Sequence, residues 1–228
     1  MNEKFVCEFC KKEYNRERTL INHLCEPKRR WMQKDEKPIR LAFNSWLRWY
    51  ELTNTNKHKK TRTYSDFMKS KEYIGFVRFG RHVANTKMIQ PSQFIDFVIK
   101  QNLKLKDWTK DSVFELYVQQ NCRQEDVTTA LERFVKLTEA WANENNQEWT
   151  DFFKLVNCSV ALHWIRVGQL SPWILMCSDT VKHLWSRMTD EQIKYVDKCV
   201  DLQLWQGKIA KNKKDTAFVK QILKEYGI

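Results

Sequence analysis

Phe5-Val6-Cys7-Glu8-Phe9-Cys10-Lys11-Lys12-Glu13-Tyr14-Asn15-Arg16-Glu17-Arg18-Thr19-Leu20-Ile21-Asn22-His23-Leu24-Cys25-Glu26-Pro27 decides how this chain begins. Cys7 and Cys10 form a C-x2-C pair, and twelve residues separate Cys10 from His23. That spacing lets a short hairpin deliver two thiolates, and the helix after it an imidazole, to one tetrahedral ion. The apolar residues agree. Phe5, Tyr14 and Leu20 would form the small core of a ββα unit, too small to fold without a metal.

The fourth ligand is less regular. Cys25 follows His23 by two residues, and on a continuing helix the two side chains would point about 200° apart. The helix must therefore unwind near Leu24, and Pro27, which disfavours helical geometry at Glu26, supports a break there. Cys25 is the expected fourth ligand; Glu26, water or a distant residue are the alternatives. Four protein ligands would leave no open position, so the ion expected here is a structural Zn2+.

The stretch resembles the two-Cys-two-His zinc-finger family over residues 5–25, as a Cys3His variant. That resemblance implies that Arg16, Arg18, Thr19 and Asn22 lie on the outward face of the short helix. Arg and Asn pair bidentately with guanine and adenine edges, so this face can read nucleic acid, although it can equally meet a protein. A lone finger covers about three base pairs and binds weakly unless flanking elements help.

The flanking sequence supplies candidates. Lys28, Arg29, Arg30 and Trp31 follow the finger directly, then Lys34, Lys37 and Arg40. A helix is expected from about Pro38, carrying Leu41, Phe43, Trp46, Leu47 and Tyr50. Asn54 to Arg62 reads as a polar loop in which Lys57, Lys59, Lys60 and Arg62 are cationic, with His58 adding a fifth charge when protonated. Such a loop suits phosphate neutralisation, with base stacking on Trp31, or it is simply a solvated loop. Trp46 reads as core.

Charge is distributed unevenly. Residues 1–90 hold 21 Lys/Arg against 10 Asp/Glu, whereas residues 91–228 hold 19 against 18, so nearly all of the formal +12 of the 228-residue chain sits at its front. A basic front on a neutral body suggests a surface made to meet a polyanion. No apolar run approaches the roughly 20 residues needed to cross a bilayer, and Met1 leads straight into the finger without a signal peptide, which predicts a cytoplasmic protein with no membrane partner. Four further cysteines (Cys122, Cys158, Cys177, Cys199) lie far apart in apolar surroundings and read as buried free thiols.

Beyond residue 63 the pattern is helical throughout. One helix is expected to carry Phe67 to Phe79, capped by Ser65 or Asp66, with Gly75 and Gly80 as soft points. Another opens at Pro91-Ser92, and a third spans about Lys110–Gln120. The clearest follows Asp126, where Val127, Leu131, Phe134, Val135, Thr138 and Trp141 recur at three-four spacing and Asn143 to Asn146 ends the run. Trp149 to Trp164 is a further segment. Thr189-Asp190-Glu191-Gln192 is a capping box, and a last helix runs from Asp215 to Gly227. Trp149, Trp164, Trp173, Trp185 and Trp205 read as core, His163 and His183 as hydrogen-bonded core residues, and Lys208, Lys211, Lys213 and Lys214 as a solvated loop. The expected fold class is mainly α: a small N-terminal ββα zinc finger, then an all-helical body. Its divisions are residues 1–27 for the finger, 28–63 for a basic linker and helix, and 64–228 for a helical domain.

Cys-Glu-Phe-Cys at 7–10, Arg16-Glu17-Arg18-Thr19-Leu20, His23-Leu24-Cys25-Glu26 and Lys28-Arg29-Arg30 also resemble finger-headed proteins of tailed bacteriophages. The ending Asp215-Thr216-Ala217-Phe218-Val219-Lys220-Gln221-Ile222-Leu223-Lys224 adds to that resemblance, which spans most of the chain and implies a bacterial host cytoplasm but no activity. The sequence holds no phosphate-cradling glycine loop, no His-Glu-x-x-His and no nucleophile elbow. The function expected is thus a non-enzymatic accessory protein binding DNA ahead of RNA. The alternatives are an adaptor that docks onto a replication or transcription protein, and a nuclease whose carboxylates come together from distant helices.

Overall fold

The computed structural model describes residues 4–54 and 61–228. Of the described residues 71% are helical, with a two-stranded sheet near the N-terminus, which makes the fold mainly α. It divides into two compact units, Met1–Thr109 and Lys110–Ile228. The divisions read from the sequence at residues 27 and 63 fall inside the first of these.

The first unit opens with β1 (Phe5–Val6) and β2 (Glu13–Tyr14), paired antiparallel with Phe5 opposite Tyr14, then α1 (Glu17–Ile21). Next come α2 (Glu26–Met32), α3 (Lys37–Thr53), α4 (Tyr64–Lys69), α5 (Tyr73–Thr86) and α6 (Pro91–Lys100), and a 3-10 turn at Leu105–Asp107. Pro38 falls in the first turn of α3, where its missing N–H costs nothing. Ile39, Ala42 and Trp46 bury one stripe of that helix. α5 crosses α3 so closely that a Cβ added at Gly80 would lie 2.2 Å from the Pro38 carbonyl oxygen. Beneath α5, Phe79 stacks on Phe94 at 5.3 Å, and Trp108 meets Phe76 and Phe79 edge-on at 5.5 and 5.4 Å. The indole N–H of Trp108 donates to the Leu103 carbonyl, so this buried tryptophan leaves no donor orphaned. Arg48 on α3 clasps Asp96 on α6 with two parallel hydrogen bonds of 2.9 Å.

Two expectations need correction here. The helix expected from Phe67 to Phe79 is two helices, broken at Ser70-Lys71-Glu72. Its cap is Thr63, whose side chain accepts from the Asp66 N–H while Asp66 accepts from the Thr63 N–H; Asp66 thus completes the box from inside the first turn. Thr63→Ala should lower the stability of this unit by about 1 kcal/mol in urea unfolding, with the slope unchanged. The second correction is Gly80, which is a close-packed crossing point and no soft point.

The second unit contains α7 (Asp111–Gln124), α8 (Val127–Asn145), a 3-10 turn at Trp149–Asp151, α9 (Phe152–Leu155) and α10 (Cys158–Arg166). It continues with α11 (Pro172–Cys177), α12 (Lys182–Trp185), α13 (Asp190–Val200), α14 (Leu202–Lys211) and α15 (Lys213–Glu225). The Asp126 side chain caps α8, and Asn146, left-handed at φ 52°, ends it. The capping box at Thr189 forms as read, with Gln192 as the reciprocal partner. Phe134, Trp141, Phe152 and Phe153 pack edge-to-face and stacked in one cluster. Beside it a buried ion pair joins Glu125, 3% exposed, to Arg133, and the Ser171 hydroxyl donates to the second Glu125 oxygen at 2.8 Å.

Other corrections fall in this unit. The Trp149–Trp164 segment breaks at Val156-Asn157, because Asn157 caps a new helix by accepting from Ser159 and Val160. Trp173 and Trp205 are core, meeting edge-on at 5.3 Å, but Trp149, Trp164 and Trp185 are only half-buried and His163 is exposed. Lys208 is no loop residue. It lies on α14, stacked 4.9 and 4.4 Å over Trp173 and Trp205, and donates to the Arg123 carbonyl; burial pulls its pKa down. All seven cysteines are free. Cys122 and Cys177 are buried, which pushes their thiols up to about 12 and about 11 and makes them poor nucleophiles, whereas Cys158 and Cys199 are half-buried.

Candidate metal centre and nucleic-acid face

The β1–β2 turn brings Cys7 and Cys10 together. The Lys11 N–H donates to the Cys7 carbonyl at 2.9 Å, Cys7 N–H donates to Lys12 O at 3.0 Å, and Lys11 takes the left-handed conformation (φ 60°) that so tight a knuckle demands. α1 then runs for only five residues. His23 lies just beyond its C-cap, Asn22, with its ring 5.0 Å from that of Tyr14. Cys25 is in extended geometry and starts α2 as its N-cap, so the direction reversal that places His23 and Cys25 on the same side comes from a change of helix. The break therefore lies at Asn22–Cys25, and Pro27 acts differently from expectation: it sits in the first turn of α2 with Glu26 helical before it, a position where proline's fixed φ suits helix initiation.

Ligand atoms of Cys7, Cys10, His23 and Cys25 all lie within 4.8 Å of one another, an arrangement that can hold a metal ion. The Cys7 and Cys25 sulfurs are 3.9 Å apart, and the Cys10 sulfur is 3.2 Å from His23 Nε2. A tetrahedron with metal–sulfur bonds of about 2.3 Å has sulfur–sulfur edges of about 3.8 Å. The donor set and its dimensions fit such an ion. The backbone N–H of Cys10, helped by that of Phe9, holds the Cys7 thiol down at about 7, so this sulfur is inclined to shed its proton. Burial moves Cys25 the other way. In the whole head up to residue 25, Cys7 is the only buried side chain among the described residues; Phe5, Tyr14 and Leu20 are half-buried.

Arg16, Arg18, Thr19 and Asn22 are all exposed, on and beside α1. The cations of the connector do not share one role. Arg29 is exposed, whereas the Lys28 ammonium donates to the carbonyls of Ile21 and His23, satisfying orphan acceptors at the end of α1. Arg30 is tied internally: it donates to the Met68 carbonyl and to Glu26, stacks 4.2 Å over Tyr73, and its own carbonyl accepts from the Tyr64 hydroxyl. Arg62 lies 4.4 Å over the Tyr50 ring and donates to the Tyr50 hydroxyl. Lys57, Lys59 and Lys60 lie outside the described residues.

Trp31 is partly exposed, with the Lys34 ammonium 4.5 Å over its ring and Phe9 6.3 Å away. With Pro27 and Met68 these rings line a cleft whose charged lining is mixed, with Lys11, Arg30 and Lys69 beside Glu8 and Glu26. Sequence reasoning missed Phe9, Lys11 and Lys69 as neighbours of Trp31. The signal for Phe9 was its place between the two knuckle cysteines, where a side chain points away from the ligands. Nothing in the sequence marks Lys69. No helix among the described residues is long and apolar enough to cross a membrane. No family model, curated protein or solved structure matches the chain.

Proposed function

We propose that this chain is a zinc-containing, non-enzymatic accessory protein of the cytoplasm that binds nucleic acid, DNA ahead of RNA, through its first unit. The observation that carries the reading is the partition of charge. Residues 1–109 hold 24 Lys/Arg against 12 Asp/Glu, and residues 110–228 hold 16 against 16, so the metal-bearing unit carries the whole +12. Arg16, Arg18, Thr19 and Asn22 have side chains of the kinds that reach base edges, and Arg29 and the residue 57–60 run are suited to phosphates. Zinc at Cys7, Cys10, His23 and Cys25 would hold that face in shape and do no chemistry.

A mobility-shift titration of zinc-loaded protein against single- and double-stranded DNA and RNA tests this. Micromolar or tighter binding is expected at about 50 mM salt, weakening roughly a thousandfold by about 200 mM if some six phosphates are neutralised. No shift with any probe at low salt would remove the reading. Metal-dependent degradation of the probe would replace it with a nuclease.

A second reading has one observation in its favour. Ile21, the last residue of α1, and Leu24, in the stretch before α2, are 65% and 60% exposed, and exposed aliphatics on a small module suit a protein partner. An adaptor would lose its partner on Ile21→Asp while showing no affinity for any nucleic acid.

A further inference from the structure

α5 carries Ile74, Arg78, Arg81 and Asn85 at spacings of four, three and four, one face of a helix, and all four are exposed. The opposite face is buried on α3 and the Phe79–Phe94–Trp108 cluster, so the exposed stripe rides on one of the most firmly packed helices of the first unit. With Thr109 the stripe lines an open cleft, and no Asp or Glu lines that cleft. Neither arginine has an ion-pair or hydrogen-bond partner among the described residues. The second unit treats its arginines differently. Arg123, Arg133 and Arg166 are paired with Asp201, Glu125 and Asp111, and Arg187 donates to the His183 and Phe153 carbonyls.

We propose that the α5 cleft is a phosphate-binding site for a nucleic-acid backbone, a second anchorage separate from the N-terminal head; it rests on the nucleic-acid reading above. Two guanidiniums three residues apart on a helix spring from Cβ atoms about 5–6 Å apart, which lets them bracket neighbouring phosphates of one strand. Guanidinium is the side-chain group whose planar fork matches a phosphate, and here it is uncommitted and faces no carboxylate that would repel the ligand. Asn85 adds a donor one turn on. Ile74, 63% exposed at the other end of the stripe, gives an apolar contact for a sugar or base. A lone head module would bind weakly, and a rigid cationic cleft elsewhere in the same unit supplies the additional phosphate contacts. The site does not read sequence, because its partners are phosphates.

The test is a salt titration of binding to one 30-nucleotide sequence, as single-stranded DNA, duplex DNA and RNA, by the full zinc-loaded chain and three double variants. Arg78→Ala/Arg81→Ala should lower affinity roughly tenfold at low salt and make the slope of log K against log salt shallower by about 1.4 to 1.8, two phosphate contacts' worth. Arg78→Lys/Arg81→Lys should keep most of the slope, because the charge remains. Arg18→Ala/Asn22→Ala should leave the α5 share of the slope untouched. Since Arg78 and Arg81 are exposed and unpaired among the described residues, melting temperature should not move. Wild-type affinity and slope in the alanine pair would overturn the α5 site while leaving the nucleic-acid reading standing. Absence of binding by the unsubstituted chain to all three probes would overturn both. Binding of an acidic peptide with equal dependence on Arg78 and Arg81, and of no nucleic acid, would assign the cleft to a protein and likewise overturn the proposal.

Discussion

Chelation of the metal, or Cys10→Ala, is expected to unfold residues 5–25 while leaving both helical units intact. The reason is the poverty of the head's own core. Phe5, Tyr14 and Leu20 are half-buried, the sheet is two residues by two, and α1 is a little over one turn. A helix of that length does not hold itself in water, and three half-buried side chains recover only a few kcal/mol by burial. Binding of a structural zinc ion contributes about 10–16 kcal/mol in modules of this kind, so nearly all the stability of the head would come from the ion. Trypsin provides the readout. Lys11, Lys12, Arg16 and Arg18 are exposed cleavage sites, and on treatment with a chelator they should be cut orders of magnitude faster, while far-ultraviolet circular dichroism loses only a small fraction of its helical signal. An unchanged cleavage rate would mean that the four ligand groups come together for a reason other than a metal. Cys25→Ser separates two roles. If Cys25 is a ligand, zinc content or affinity falls; if it serves only as N-cap of α2, serine, itself a good cap, leaves the metal in place.

How much of this was legible in the sequence depends on the range of the interaction concerned. The Cys3His cluster that can hold a metal ion was legible because its four residues lie within nineteen positions, at a spacing that a tetrahedral site would require. α8 was legible for a similar reason: a three-four apolar repeat, an aspartate cap at 126 and an asparagine stop at 146 are all local. The capping box at Thr189 is local too. What the sequence hid depends on partners far along the chain. Lys208 looked like a member of a solvated cluster because the tryptophans it stacks on are at 173 and 205, and only folding places the first beside it. Arg30 looked like one more phosphate ligand because Met68 and Tyr73 lie about forty residues away. Arg78 and Arg81 were passed over for the opposite reason. Within a helix read as core they drew no notice, and their interest lies in having no partner among the described residues, which only the folded chain reveals.

Gly80 shows the same lesson at the level of a single hydrogen atom and gives the second large effect. Glycine inside a helix is ordinarily worth replacing, since alanine gains up to about 1 kcal/mol of helix propensity. At Gly80 that gain should be overwhelmed. A Cβ would lie 2.2 Å from the Pro38 carbonyl oxygen, 2.8 Å from the Ala42 nitrogen and 2.9 Å from the Ala42 Cβ, and the first two of these are backbone atoms that cannot rotate away. α3 would have to retreat by about an ångström, opening contacts with Trp46 and Phe67 and disturbing the Arg48–Asp96 clasp. Overpacking of this kind costs typically 1–3 kcal/mol and here should sit at or above the top of that range. Gly207 is the control. It lies inside α14 with nothing within 4 Å of an added Cβ, so Gly207→Ala should stabilise its unit by about 0.5–1 kcal/mol. Two chemically identical substitutions are thus expected to move urea midpoints in opposite directions. Gly80→Ala shifting its unit upward, as Gly207→Ala does, would show that the α3–α5 crossing is looser than 2.2 Å allows.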